Sequence, residues 1–372
     1  MQNYAVDLLI RMVKVHSPSG KEEHLAGLLS DEMKQLGFEV ERDRVGNVTG
    51  RLAGDRPWVM LCGHMDTVPG IIPVRVEDGI IYGRGAVDAK ASLAAMINAA
   101  AQLAEEGYKA GILVVAAVGE EDKGQGVKYL VKKGIDVDYA IFGEPSGIEA
   151  VTVGYKGSLH LKITCETETG HSSAPWLVEN AVEKAIEIWK LIKNHRMPQE
   201  KPESRFHSLS SCLTQIEGGE VGSVVPYRCE IHIDMRIPPS LTVEHVQSEF
   251  LALIDMFRAK NSGVKVEVDV EDHTEPYVAN KKSLIVRALS HAIWKIRGKP
   301  TRLMNKTGTG DMNVFGHQTG KPVVTYGPGD PHLDHTHSEY IIVRDYLESI
   351  DVLKEALKKL YELHCGVRGR PV

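Results

Sequence analysis

Three short apolar runs constrain the fold of this chain more than any other feature. They cover residues 58–62, 112–118 and 139–142, and each is continuously apolar instead of alternating with polar residues. Continuous runs of this length are typical of strands that are buried on both faces. Helix-like segments at 89–106 and 125–133 lie between the runs. This alternation predicts an α/β fold with a mainly parallel sheet flanked by helices.

The middle of the chain has a different pattern. Residues 158–165 and 230–236 alternate apolar with polar side chains, which indicates an antiparallel sheet with one face in solvent. Two helical segments, at 181–193 and 243–258, accompany these strands. Strands and helices of this kind predict a smaller α+β domain.

The length of 372 residues exceeds one ordinary hydrophobic core, so two domains are expected. We predict that residues 156–268 form the smaller domain, as an insertion. Residues 1–155 and 269–372 then form the main α/β domain, which ends in a helix near 343–364.

Composition excludes several classes of protein. The chain has 44 Lys and Arg against 50 Asp and Glu, and this net charge of −6 argues against nucleic acid as a partner. No apolar run approaches the roughly 20 residues that cross a bilayer. The first residues also lack the positive charge of a signal peptide. Five scattered cysteines without a Cys-x-x-Cys pair suit a reducing compartment, so we expect a cytoplasmic protein without a membrane partner.

Residues that bind metal ions follow all three buried runs. They are His64 and Asp66 after the first run, Glu120 and Glu121 after the second, and Glu144 after the third. The carboxyl ends of parallel strands meet at one edge of a sheet, so these side chains should converge. Imidazole and carboxylate ligands without cysteine suit zinc, cobalt or manganese. The adjacent Glu120 and Glu121 fit one acid that binds metal and one that moves a proton.

Other candidate ligands lie elsewhere in the chain. Asp88 precedes the helical segment at 89–106, and a turn near the C-terminus contains His332, His335 and His337. Spacing alone does not choose among the three histidines. If two metal ions lie roughly 3.5–4 Å apart, one acid must bridge them, and Asp88 is the natural candidate.

Two short spacings predict local contacts. Residues two apart in a strand face the same side, so Asp66 should accept a hydrogen bond from the second imidazole nitrogen of His64. Ser19 and Glu22 have the spacing of a capping box, which predicts that a helix begins there.

Five motifs resemble those of the co-catalytic zinc peptidase and deacylase family, in the family's order and over nearly the whole chain. They are GHMDTVP at 63–69, GRGAVDAK at 83–90, GEE at 119–121, GEPS at 143–146 and GHSSAP at 170–175. That family contains carboxypeptidase G, aminoacylase, acetylornithine deacetylase and succinyl-diaminopimelate desuccinylase. The GAVDAK form is most similar to the branch that deacetylates N-acetyl-lysine or frees lysine or ornithine from a small carrier protein.

The resemblance implies a zinc-dependent amidohydrolase that releases lysine or ornithine in lysine or arginine biosynthesis. Its substrate is a small N-acyl amino acid or an acidic, LysW-like amino-group carrier protein. It implies two Zn²⁺ ions per subunit, which Co²⁺ or Mn²⁺ can replace, in a metal-binding catalytic domain. It also implies a homodimer, with the inserted domain acting in dimerisation or as a lid.

The same resemblance assigns the metal ligands. His64 and Glu144 bind one zinc ion, Glu121 and His335 bind the other, and Asp88 bridges them. His335 is selected among the histidines because the family's last ligand lies four positions before a glutamate.

Roles in catalysis and substrate binding are likewise implied by the resemblance. Glu120 is the general base, with Asp66 beside it, and His171 is the histidine that stabilises the oxyanion in the partner's active site. Arg236 grips the substrate carboxylate. Thr309 matches a substrate-contacting loop, and Ser223 stands where the family has an asparagine.

Two alternatives remain open from the sequence. The same metal centre serves dipeptidases, aminopeptidases and carboxypeptidases. A non-catalytic binding protein on this scaffold is the other alternative, although such proteins usually lose ligands or the base.

Overall fold

The computed structural model describes residues 2–199, 201 and 203–368. These residues form two compact units. The first consists of residues 2–154, 278–305 and 310–368, and the second consists of Tyr155–Tyr277 and Lys306–Thr309. The second unit therefore lies mostly within one continuous stretch of chain.

The helices are α1 (Gln2–Lys14), α2 (Glu23–Gln35), α3 (Lys90–Glu105), α4 (Gln125–Lys133), α5 (Ala181–Asn194), α6 (Val243–Lys260), α7 (Leu284–Arg297), α8 (Asp311–Thr319) and α9 (Val343–Arg368). The strands are β1 (Glu39–Arg42), β2 (Val48–Leu52), β3 (Asp55–His64), β4 (Arg75–Glu77), β5 (Ile80–Tyr82), β6 (Ala110–Ala117), β7 (Tyr139–Phe142), β8 (Ala150–Tyr155), β9 (Gly157–Glu166), β10 (Ser210–Gly218), β11 (Arg228–Ile237), β12 (Lys265–Thr274), β13 (Tyr277–Val278), β14 (Arg302–Lys306), β15 (Val323–Thr325) and β16 (Tyr340–Ile342). Among the described residues, none of the helices combines the length and apolar character that a membrane span requires.

The large sheet has a parallel centre. Within the described chain its nine strands follow the order β1-β2-β6-β3-β7-β15-β8-β13, with β14 paired to β8. Strands β6, β3, β7 and β15 run parallel, whereas β1, β2 and β8 pair antiparallel. His64 of β3 lies opposite Ala117 of β6, and Cys62 lies opposite Phe142 of β7. The predicted α/β sheet is confirmed, and the ends of its three predicted strands lie side by side.

Helix α3 packs closely against this sheet. Its alanine-rich sequence is buried on nearly every side, against β3, β6, α1 and α9. The close approach also needs Gly63, because a β-carbon there would lie 3.1 Å from the Leu93 β-carbon. The segment that follows Asp88 is therefore held in the core, and this fixes the start of α3 near the end of β3.

The second unit has its own antiparallel sheet and core. The sheet order is β10-β11-β9-β12, and α5 and α6 cover one face with apolar side chains that include Ile188 and Phe250. The alternation of β9 and β11 matches the pattern in the sequence. Strand β12 pairs with β9 as far as Thr274, so this unit extends to Tyr277 and beyond the expected boundary at residue 268.

The helix start predicted from the capping-box spacing is confirmed, but the capping box itself does not form. Helix α2 begins at Glu23, and its N-cap residue Glu22 makes no side-chain capping hydrogen bond. The Ser19 hydroxyl instead donates to Asp66 Oδ2 at 2.7 Å, and the Glu22 carboxylate accepts from the Gly119 N–H at 3.1 Å. Both side chains thus support the loops that follow β3 and β6 instead of the helix.

Candidate metal centre

The candidate ligands come from the carboxyl ends of three neighbouring parallel strands and from two loops of the first unit. They are His64 at the end of β3, Glu120 and Glu121 after β6, Glu144 after β7, Asp88 before α3, and His335 in the loop before β16. The structure brings these six side chains together in three overlapping groups, with ligand atoms within 4.8 Å of one another.

One group consists of His64, Asp88 and Glu144. The Nε2 atom of His64 lies 3.3 Å from Asp88 Oδ1 and 3.5 Å from Glu144 Oε1. On the other side of the ring, Nδ1 donates to the Asp66 backbone carbonyl at 2.9 Å. Because that hydrogen bond places the proton on Nδ1, the Nε2 lone pair can face a cation.

A second group consists of Asp88, Glu121 and His335. The Nε2 atom of His335 lies 3.1 Å from Asp88 Oδ2 and 3.0 Å from Glu121 Oε2. The two oxygens of Asp88 therefore face different histidines, as a carboxylate that bridges two cations would. His335 reaches this place with a φ of 61°, a left-handed conformation that is uncommon outside glycine.

The arrangement fits divalent cations. Metal–ligand distances near 2.1 Å in tetrahedral geometry place neighbouring ligand atoms about 3.4 Å apart, close to the separations within both groups. The third group, His64 with Glu120 and Glu121, adds further oxygens beside them. The negative charges of these partly buried carboxylates repel one another, and a bound cation would reduce that repulsion. Imidazole and carboxylate donors suit zinc, cobalt or manganese.

Electrostatic interactions shift several pKa values at this centre. Burial opposes the charged form of His64, but hydrogen bonds to Asp66 and Asp88 outweigh it and raise the pKa of His64 well above its usual value. Hydrogen bonds to Asp88 and Glu121 raise the pKa of His335 to about 10. Burial, with the negative charges of Asp311, Glu121 and Asp88, raises the pKa of Glu120 well above its usual value despite nearby His64.

The carboxylate of Asp66 has a different contact from the one that the sequence predicts. It accepts from the Glu120 N–H at 3.1 Å, the Glu121 N–H at 2.9 Å and the Ser19 hydroxyl at 2.7 Å. Its distance to His64 Nδ1 is 3.6 Å, so the Asp66 carbonyl is the nearer acceptor for the ring. Asp66 therefore holds the turn that carries both glutamates, besides orienting the imidazole.

Sequence reasoning missed a further acid beside the centre. Asp311, the first residue of α8, is buried, and a β-carbon on Gly124 would lie 3.2 Å from its Oδ1. Burial and the charges of Glu144 and Asp66 raise its pKa to about 8 against the opposing effect of His64. Its place next to Thr309-Gly310 was the available signal, but only the tertiary structure shows its neighbours.

Within the second unit, the loop of His171 lies beside that of Ser223. The Ser172 N–H donates to the Ser223 carbonyl at 2.9 Å, and His171 pairs with Val224 in a short antiparallel bridge. His171 itself is exposed, and its Nδ1 accepts from the Ser173 N–H at 3.1 Å. Since a backbone N–H can only donate, the neutral ring carries its proton on Nε2, where it can donate to a substrate.

Arg236 and Thr309 are also in contact in this unit. The guanidinium donates to Thr309 Oγ1 at 3.1 Å and to Asp234 Oδ2 at 2.8 Å. Thr309 donates in turn to the Lys156 carbonyl at 3.1 Å. The buried amine of Lys156, which the sequence did not single out, donates to the Ser208 carbonyl at 2.7 Å and to Ser210 Oγ at 3.0 Å.

Comparison with known proteins identifies the class. The family model of peptidase family M20/M25/M40 matches residues 60–359, and the chain belongs to this family. The predicted family and the prediction of a hydrolase that acts on amide bonds are thus confirmed.

Curated relatives match along nearly the whole chain. The LysW-lysine/LysW-ornithine hydrolase of Sulfurisphaera tokodaii is 34% identical, over 95% of this chain and 95% of the relative. The LysW-lysine hydrolase of Deinococcus radiodurans is 32% identical, over 96% of this chain and 97% of the relative. Among solved structures, an M20 family metallo-carboxypeptidase from Sulfolobus solfataricus has a TM-score of 0.81 at 20% identity, over 96% of this chain and 99% of that one. The last similarity supports the fold.

Proposed function

We propose that this protein is a two-zinc amidohydrolase that releases lysine or ornithine from an acidic, LysW-like amino-group carrier protein. The observation that carries the proposal is the pair of ligand groups that share Asp88, with Glu120 beside them. The full-length similarity to relatives named for LysW-lysine and LysW-ornithine supports the substrate class.

His64 and Glu144 would hold one zinc ion and Glu121 and His335 the other, with Asp88 shared between them. The two ions would supply Lewis-acid polarisation of an amide carbonyl and a water of lowered pKa. Glu120 takes a proton from the attacking water and later delivers it to the leaving amine. Asp66 keeps the Glu120 carboxylate in place because it accepts hydrogen bonds from the backbone N–H groups of Glu120 and Glu121.

His171 supplies a hydrogen bond to the developing oxyanion. The Ser173 N–H bond leaves the His171 proton on Nε2, and a preorganised donor of this kind lowers the barrier of acyl transfer. By the family resemblance, His171 serves the active site of a second copy, so the working protein is a homodimer. The second unit, which contains the sheet β10-β11-β9-β12 and helices α5 and α6, is the proposed dimerisation or lid domain.

Arg236 binds the carboxylate of the amino acid that is released. A guanidinium has five N–H groups, and the contacts with Thr309 and Asp234 use two of them. The remaining N–H groups can form the paired hydrogen bonds that carboxylates favour. Ser223 is shorter than the family's asparagine and lacks an amide, so it offers a substrate a hydroxyl group instead.

Product identification with zinc-loaded protein tests this function. Carrier-linked lysine, carrier-linked ornithine, N-acetyl-lysine and a panel of dipeptides are compared under one set of conditions, with mass spectrometry of the products and a Glu120→Gln sample as control. We expect free lysine or ornithine from the carrier-linked substrates, with kcat/KM at least about tenfold above that of the small amides. Faster hydrolysis of dipeptides would support the peptidase alternative, and no hydrolysis of any amide would support the binding protein.

A further inference from the structure

The carboxylate of Glu339 lies at the centre of a compact hydrogen-bond network. Glu339 stands directly before β16 and four residues after His335, and its side chain is 1% exposed. Its Oε2 accepts from Arg84 Nη1 and from the Gly85 N–H, both at 3.0 Å. Its Oε1 accepts from the N–H groups of Val87 at 2.8 Å and Asp88 at 2.9 Å.

All four donors to the Glu339 carboxylate belong to one loop. The loop runs from Gly83 to Asp88, and its first N–H donates to the Glu339 backbone carbonyl at 3.3 Å. The last N–H of the loop belongs to Asp88, whose carboxylate faces both His64 and His335. Glu339 is therefore the side chain that joins the loop of Asp88 to the loop of His335.

Among side chains of this size, only an ionised carboxylate can accept hydrogen bonds at both of its terminal atoms. Donors that are left unsatisfied in a buried place cost more than the bond itself is worth. In a glutamine at position 339, an NH₂ group would replace one of the two carboxylate oxygens. Its hydrogens would then face two N–H donors that have no acceptor. The loop would then have to move, and the Asp88 N–H would move with it.

We infer that Glu339 is a positioning residue for the metal centre: it sets Asp88 and His335 at the separation that lets them bind one cation with Glu121. The inference rests on the proposed metal centre. It predicts that the Asp88–Glu121–His335 group depends on Glu339 more than the His64–Asp88–Glu144 group does, because two of its three ligands lie on the joined loops.

The test is a metal titration of Glu339→Gln. Metal-free wild type and variant are titrated with Co²⁺, with visible absorption following each site, and zinc content is counted by mass spectrometry after zinc loading and gel filtration. We expect two cations in the wild type and about one in the variant, with the weaker site losing about 10–100-fold in affinity. Excess metal should restore kcat in the variant.

A matched control separates positioning from general stability. Glu32 is likewise a buried carboxylate bonded to an arginine, Arg11, and to the Tyr4 hydroxyl. Glu32→Gln should lower the midpoint of thermal unfolding and leave both cations bound. Glu339→Asp, which keeps the charge, should recover part of the lost affinity and replaces the glutamine variant if that variant does not fold.

The outcomes distinguish this inference from the proposed function. Two cations bound by Glu339→Gln within about threefold of wild-type affinity would overturn the positioning role. Equal metal loss from Glu32→Gln would also overturn it, since the effect would then be general destabilisation. A wild type that binds no divalent cation would overturn the proposed function itself.

Discussion

Glutamine at position 120 removes the proposed general base with almost no change of volume. Glutamine has nearly the shape of glutamate, so the variant side chain should occupy the same place beside Gly310, where a β-carbon would lie 3.4 Å from Glu120 Oε1. The two N–H groups that Asp66 accepts at this turn belong to the backbone, so they remain in the variant. Metal ligation should therefore persist, and the kinetic effect of Glu120→Gln should report proton transfer alone.

The magnitude follows from the two steps that Glu120 serves. General acid–base catalysis is worth about 10²–10⁴-fold, or about 2.7–5.4 kcal/mol of barrier at 1.36 kcal/mol per tenfold. Because one carboxylate both takes the proton from water and returns it to the amine, we expect kcat to fall by about 10³–10⁴-fold. KM should change less than about threefold, since the proposed proton transfers of Glu120 act after the substrate has bound.

Steady-state kinetics on carrier-linked lysine, with the zinc content of every sample measured, tests this prediction. Asp122→Asn is the control, because it removes an exposed charge two positions away and should leave kcat and metal content unchanged. The reasoning is refuted if metal-replete Glu120→Gln keeps more than about one tenth of wild-type kcat.

Three further predictions concern other parts of the chain. Ser173→Ala removes a hydroxyl 2.8 Å from His171 Nδ1, so kcat should fall by about 2–10-fold with KM unchanged; an identical kcat would contradict this. Phe250→Ala should cost about 3–5 kcal/mol in the free energy of unfolding of the second unit, measured in denaturant; a cost below about 1 kcal/mol would show a loose core. The Arg11 hydrogen bond lowers the pKa of Glu32 in the folded protein. The ionised Glu32 therefore stabilises the fold fully above its pKa in the unfolded chain, about 4.3, and this stabilisation is lost as pH falls through its lower pKa in the folded protein. The difference in unfolding free energy between wild type and Glu32→Gln should thus shrink below about pH 4, and a constant difference would exclude the ion pair.

Patterns that are local in sequence predicted much of the architecture. The continuous apolar runs became β3, β6 and β7, because a strand buried on both faces needs apolar side chains on both sides. Their parallel pairing then brought His64, Glu121 and Glu144 to one edge, as expected for strand ends in an α/β sheet.

Contacts between distant segments could not be predicted in this way. Ser19 has the spacing of a helix cap, yet its hydroxyl bonds to Asp66, 47 residues away, because that carboxylate needs donors. Glu339 accepts a hydrogen bond from the Asp88 N–H, 251 residues away in the sequence. Only the folded structure shows that one carboxylate accepts hydrogen bonds from several N–H groups of this loop. Strand β12 was missed although Val266, Val268 and Val270 alternate with charged residues, because the predicted domain boundary at residue 268 falls within that strand.

The most direct test of the account is an anomalous-diffraction experiment on crystals of the zinc-loaded protein. The account predicts two zinc peaks per chain, roughly 3.5–4 Å apart, with one oxygen of Asp88 directed at each. A single peak, or peaks away from His64 and His335, would contradict it.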